Sequence, residues 1–183
     1  VVFWGTTGEE QGLLGSAYYA EDPVYPLNQT VAAINIDALH IFGASHDYVI
    51  VGHGNSGLDD YAIRANELIG RVVKPNPEPE KGSFFRSDHF PLSKQGVPAH
   101  YGKAGHDNIA HGEAWSRAQS DAWTADKYHQ VTDEYSPDWD LSGALPAIAV
   151  WFRIALELSY SDAWPEWNEG TEFKAIRDAS LGH

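Results

Sequence analysis

Apolar residues fall in short runs along this chain, and carboxylates stand at the ends of several of them. The run Val1-Val2-Phe3-Trp4, closed by Gly5, predicts a buried strand, and residues 12–20 follow as a helix, so the chain opens on a strand-turn-helix unit. Asp22-Pro23 through Pro26-Leu27 breaks the pattern. Thr30-Val31-Ala32-Ala33-Ile34-Asn35-Ile36 then predicts a second strand that ends in Asp37, and Asp47-Tyr48-Val49-Ile50-Val51-Gly52 a third. Ser56 is placed to cap a helix with Asp59 and Asp60 in its first turn, apolar residues at Leu58, Tyr61, Ala65, Leu68 and Ile69, and Gly70 as its stop. Residues 75–80 are too proline-dense for a helix or central strand and predict a surface loop or pocket rim. Val97-Pro98-Ala99-His100-Tyr101 predicts a further strand. The polar stretch 102–127 predicts a long irregular loop, a kind of segment usually functional or mobile. The longest helix is expected over about residues 142–158, with Pro146 tolerated near its first turn. Leu145, Ile148, Phe152 and Ala155 share one face there, and Trp151, Ile154 and Leu158 widen it, so this helix should lie flat on the sheet. Residues 164–173, with two tryptophans, should wrap the body.

Strands alternating with helices predict an α/β fold of three layers, a mostly parallel central sheet flanked by helices. At 183 residues and 43% hydrophobic, the chain can bury one substantial core, which predicts a single domain over residues 1–183. A net charge of -14 argues against nucleic acid or an anionic membrane as partner, since neither polyanion is drawn to such a surface. No uninterrupted run of eighteen apolar residues is present, so no membrane-spanning segment is expected. With zero cysteines there is no disulfide framework or thiolate site, and any metal must be held by histidine and carboxylate. Lack of cysteine leaves the compartment open; a periplasmic or secreted location is the expectation. The chain begins without methionine inside what reads as a core strand, with no turn or cap ahead of Val1, so an N-terminally truncated part of a larger domain is expected.

The stretch carrying the most chemistry is Thr6-Thr7-Gly8-Glu9-Glu10-Gln11-Gly12-Leu13-Leu14-Gly15-Ser16, two adjacent carboxylates in a glycine-bracketed turn. At the end of a strand they would stand on the edge where open α/β sheets bind ligands. Neighbouring residues in such a turn point in different directions, so one carboxylate can bind a metal while the other faces the metal's water. Alone, such a pair is more often a solvated acidic first turn of a helix. Four features in order do more: Gly8-Glu9-Glu10-Gln11-Gly12-Leu13-Leu14-Gly15-Ser16, Asn35-Ile36-Asp37, Arg86-Ser87-Asp88-His89 and Tyr128-His129. Together they resemble the co-catalytic zinc exopeptidases of metallopeptidase family 28, especially bacterial aminopeptidases. The likeness extends through Gly96-Val97-Pro98-Ala99 and Trp164-Pro165-Glu166-Trp167 to Phe173.

The resemblance implies roles position by position. Glu9 matches the family's general base, Glu10 a carboxylate ligand of one zinc, and Asp37 a ligand of the other. His129 resembles the imidazole that joins Glu10, and Tyr128 the tyrosine that steadies the oxyanion of the tetrahedral intermediate. Arg86, Ser87, Asp88 and His89 resemble a pocket segment near the metals, with roles in supporting ligands or binding substrate. The implied cofactor is two zinc ions in the complete site, and the implied substrate a peptide with a free N-terminus. The complete family site also has a histidine ligand and a bridging aspartate ahead of the Glu-Glu turn, whereas the eight residues before Glu9 include neither. The expectation is therefore the C-terminal portion of a peptidase catalytic domain, binding zinc poorly and inactive as it stands. Its edge beside Val1 is expected to self-associate or to pair with the missing N-terminal portion. Two alternatives stay open: a glutaminyl cyclase-like single-zinc acyltransferase, and a metal-free interaction module on the same scaffold. His40, His46, His53, His100, His106, His111 and His183 show no ligand-like pairing and are expected as surface or satisfied core residues.

Overall fold

In a computed structural model, which describes residues 1–182, the chain forms an α/β fold around a four-stranded sheet. His183 lies outside the described residues, as does the expectation for it. The strands are β1 (Ala33–Asn35), β2 (Asp47–Val51), β3 (Val72–Pro75) and β4 (Ala99–Ala104). The helices are α1 (Leu14–Glu21), α2 (Leu58–Glu67), α3 (His89–Lys94), α4 (Gly112–Asp126), α5 (Ala144–Ser159) and α6 (Lys174–Leu181). The sheet order is β1-β4-β2-β3; β1 runs parallel to β4 and β2 to β3, while β2 and β4 are antiparallel. The sheet is thus mixed but mostly parallel, as the alternation of strands and helices predicts.

Every residue of β2 is buried, which is why it reads as a continuous apolar run rather than an alternating one. Its side chains still alternate between two faces. Tyr48 and Ile50 pack with Leu58, Ala62 and Ala65 of α2 and Val150 and Ile154 of α5. Val51 turns to the opposite side and packs with Phe84, Trp167 and Phe173. The expected wrapping by residues 164–173 is present: Trp167 is buried and its indole N–H donates to the Gly96 carbonyl at 2.8 Å. At the centre, the Trp151 indole N–H donates to the Tyr48 hydroxyl at 3.0 Å, and that hydroxyl lies 2.8 Å from His100 Nε2. With Tyr48 and His100 both fully enclosed, this chain of polar groups ties α5 to two strands.

Several expectations need correction. Residues 1–4 form no strand and are exposed, Phe3 at 96%. A strand needs a hydrogen-bonding neighbour, and β1, the edge strand, pairs only with β4 among the described residues. Trp4 rests on Tyr19 instead, ring centres 4.5 Å apart. Stretch 102–127 is no long loop, since α4 occupies fifteen of its residues. Its signal was present in Ala114, Ala118, Ala122 and Ala125, strong helix formers at helical spacing, and in the Glu113–Arg117 pair one turn apart at 2.7 Å. Strand β3 enters the proline-rich stretch at Pro75, which an edge strand tolerates.

The buried face of α5 is Ala144, Ala147, Val150, Trp151 and Ile154, while Leu145, Ile148 and Phe152 are exposed. That helix is apolar nearly all round, so periodicity could not choose a face; in the fold, the face with Ala144 and Ala147 lies inward. Together with the turn before it, Leu141–Ser159 is long and apolar enough to cross a membrane by length and composition, yet it packs on α2 and the sheet. In α2, Leu58 and Ala65 are buried as expected, but Leu68 and Ile69 fall beyond the helix and are exposed, and Ala62 takes the inner place.

Candidate functional site

Glu9 and Glu10 sit in one tight turn, Glu9–Gln11, held between Gly8 and Gly12, both in the left-handed backbone region. Leu13 continues left-handed at a φ of 62°, a conformation costly for a residue with a Cβ. Backbone bonds close the loop: Gly15 N–H donates to Thr7 at 2.8 Å and Leu14 N–H to Gly8 at 3.1 Å. A Cβ on Gly15 would come within 2.6 Å of the Thr7 nitrogen, so only glycine allows this approach.

Asp37 lies two residues past β1. Its Oδ2 accepts from the Ser87 hydroxyl at 2.7 Å and from the Tyr101 hydroxyl at 3.2 Å, and Ser87 accepts from the Asn35 amide at 2.7 Å. The parallel register that sets Asn35 opposite Tyr101 brings these groups together. Asp88, the next residue along, accepts from the Thr6 hydroxyl at 2.5 Å and the Ser16 hydroxyl at 2.6 Å. Thr6 and Ser16 are the two ends of the Glu-Glu turn. Two consecutive residues just ahead of α3 thus fasten both arms of the site: Ser87 the Asp37 arm, Asp88 the Glu9–Glu10 arm.

His129 Nε2 lies 3.0 Å from Glu10 Oε2. Its backbone is left-handed, φ 59°, and its ring stacks on Tyr128 with centres 3.8 Å apart. The Glu9 carboxyl is held above its usual range by burial first, then by the negative charges of Asp37, Glu10 and Asp88, with His129 opposing. Burial, then Glu10 and Asp37, raise the Tyr128 hydroxyl, and Arg86 opposes. Glu9, Glu10, Asp37, Tyr128 and His129 therefore share one electrostatic neighbourhood. His89 lies deeper: it is 2% exposed, its ring packs against Phe84 and Tyr101 at 4.7 and 5.1 Å, and neither ring nitrogen has a hydrogen-bond partner among the described residues.

The donor types suit zinc, a carboxylate and an imidazole nitrogen side by side. Their number does not complete a site: among the described residues no three His, Cys, Asp or Glu side chains converge to hold a metal ion, and catalytic zinc normally has three protein ligands. Four participants have no role assigned from the sequence: Thr6, Ser16, Asn35 and Tyr101. Thr6 and Ser16 stand at the ends of the quoted stretch, where hydroxyls flanking a tight turn are a signal for an acceptor nearby, whereas Tyr101 reaches Asp37 only because β4 neighbours β1.

Against known proteins, a family model described as Peptidase family M28 matches residues 1–151. No curated protein matches the chain.

Proposed function

Since this chain belongs to peptidase family M28, we propose that it carries most of the active site of a zinc-dependent aminopeptidase, acting on peptides with a free N-terminus. The observation that carries this reading is the partly buried Glu9 carboxyl beside the Glu10–His129 pair, in the same field as Asp37. Glu10 and His129 would hold one zinc and Asp37 would contribute to a second. When bound, zinc acidifies a water and polarises the scissile carbonyl. Glu9, as general base, takes a proton from the attacking water and passes it to the leaving amine. Its raised pKa suits that return step. Tyr128, kept protonated, donates its hydroxyl to the oxyanion. The carboxylates of the site attract the substrate's ammonium end.

With three donors split between two ions, the chain binds zinc weakly and is inactive without added metal. In excess zinc it is expected to release the first residue of a peptide slowly and to leave the N-acetylated peptide intact. Glu9→Gln is expected to lower that rate by about a hundredfold, the low end for loss of a general base. Equal cleavage of the acetylated peptide would contradict aminopeptidase action, and an unchanged rate in the variant would remove Glu9 from its role.

The open edge of β1 and the exposed apolar residues Val1, Val2 and Phe3 are further expected to drive association of the chain with itself. Sedimentation velocity over a concentration series checks this, and one monomeric species throughout would refute it.

A further inference from the structure

Beside the site lies a concavity of about 410 Å³ that none of the roles above uses. One face of α4 supplies Trp115, Gln119 and Trp123, each a turn apart. Phe42 comes from the loop after β1, and Trp139 with Asp138 and Asp140 from the segment before α5. The Trp123 ring meets Phe42 edge-on at 6.3 Å and Trp139 edge-on at 5.7 Å, so the aromatic wall is braced against itself. The lining includes two carboxylates, one histidine, His111, whose ring centre lies 4.2 Å from that of Trp115, and no lysine or arginine. Asp140 accepts from the Ser142 backbone N–H at 2.9 Å, and the Ser142 bonds hold its carboxyl below the usual range, so it stays ionised. Aromatic faces and carboxylates together attract an organic cation: the ring quadrupoles face it with negative charge and the carboxylates supply the counter-charge. Among the described residues no three His, Cys, Asp or Glu side chains converge to hold a bare metal ion, and the two carboxylates disfavour an anion.

We propose that this cavity binds a guanidinium or ammonium group on an apolar stem, as a basic side chain presents it. The cavity adjoins the catalytic cluster. The Tyr128 backbone N–H donates to the Trp123 carbonyl at 3.0 Å, and Ile41 on the cavity wall is four residues from Asp37, no more than about 14 Å along the chain. A basic residue a few positions beyond the cleaved bond of a peptide reaches it. That last assignment rests on the peptidase reading, whereas the cation preference does not.

The test needs neither zinc nor turnover. Nα-acetyl-argininamide and its neutral isostere Nα-acetyl-citrullinamide are titrated into the chain, followed by the NMR indole N–H signals of Trp115, Trp123 and Trp139. The arginine probe is expected to saturate, to shift those signals, and to bind at least tenfold tighter than citrulline. The double variant Asp138→Asn, Asp140→Asn, in which an amide oxygen at position 140 still accepts from the Ser142 N–H, is expected to lose the discrimination while the fold persists. Equal affinity for the two probes, no saturable binding, or discrimination that survives the double variant overturns the proposal. A failed peptidase assay leaves it standing, and a failed titration leaves the peptidase reading untouched.

Discussion

Replacing Asp88 with alanine is expected to lower the unfolding free energy by about 3 kcal/mol and to loosen the Glu9–Glu10 turn. Hydrogen bonds to a charged group contribute roughly 1.5–3 kcal/mol each, and Asp88 accepts two, from Thr6 and Ser16. Ser16 is fully buried, so its hydroxyl cannot turn to water for a substitute, though it still reaches the Leu13 carbonyl at 3.1 Å. Asp88→Asn keeps the shape and one good acceptor and is expected to cost about 1 kcal/mol. Urea denaturation measures both. The local effect separates from the global one by hydrogen exchange: the Leu14 and Gly15 amides, which close the turn, should exchange much faster in the alanine variant under conditions where β2 stays protected. Equal loss of protection in both places would mean that Asp88 only stabilises the fold as a whole.

Acid is expected to unfold the chain earlier than its carboxylates alone would require. Burial drives the His100 pKa down to about 4, and burial followed by the neighbouring His100 charge drives His89 down to about 3, with the nearby Phe84 carbonyl opposing in part. Both are therefore neutral when folded and bind a proton first in the unfolded chain, at the ordinary pKa of about 6.5. Their contribution is complete above that pH. It falls at about 1.4 kcal/mol per pH unit for each, down to about pH 4 for His100 and about pH 3 for His89. Asp59, raised by burial, acts in the opposite sense and offsets part of the slope near its own titration. His100→Gln, whose amide oxygen can still accept from the Tyr48 hydroxyl, is expected to flatten the dependence by one proton. Thermal or urea midpoints from pH 7 to 4 check this, and an identical slope in the variant would place the acid sensitivity elsewhere.

The parts of this chain legible in the sequence are those set by local chemistry. The Glu-Glu turn declares itself through glycines that only a left-handed backbone requires, and β2 through a continuous apolar run. The order of Glu9, Glu10, Asp37 and His129 carries the family likeness, and the family model over residues 1–151 agrees with it. What was hidden depends on partners. Residues 1–4 have the composition of a strand but, among the described residues, no strand that pairs with them, and α5 is apolar on more faces than the core can cover. Helix α4 buries only Ser116, so it has no strong apolar stripe and reads as loop unless its alanines are weighed. Ser87 and Asp88 lie within a recognisable motif, but their clamping role depends on Thr6, Ser16 and Asp37 being brought to them by the fold.

The measurement closest to the centre of this reading is the position of zinc in crystals grown with the metal, located by anomalous scattering. The expected result is an ion about 2.0–2.2 Å from a Glu10 carboxylate oxygen and from a His129 ring nitrogen, with Glu9 facing it and the signal lost in His129→Ala. Zinc bound only at other side chains, with the 3.0 Å Glu10–His129 contact left intact, would contradict it.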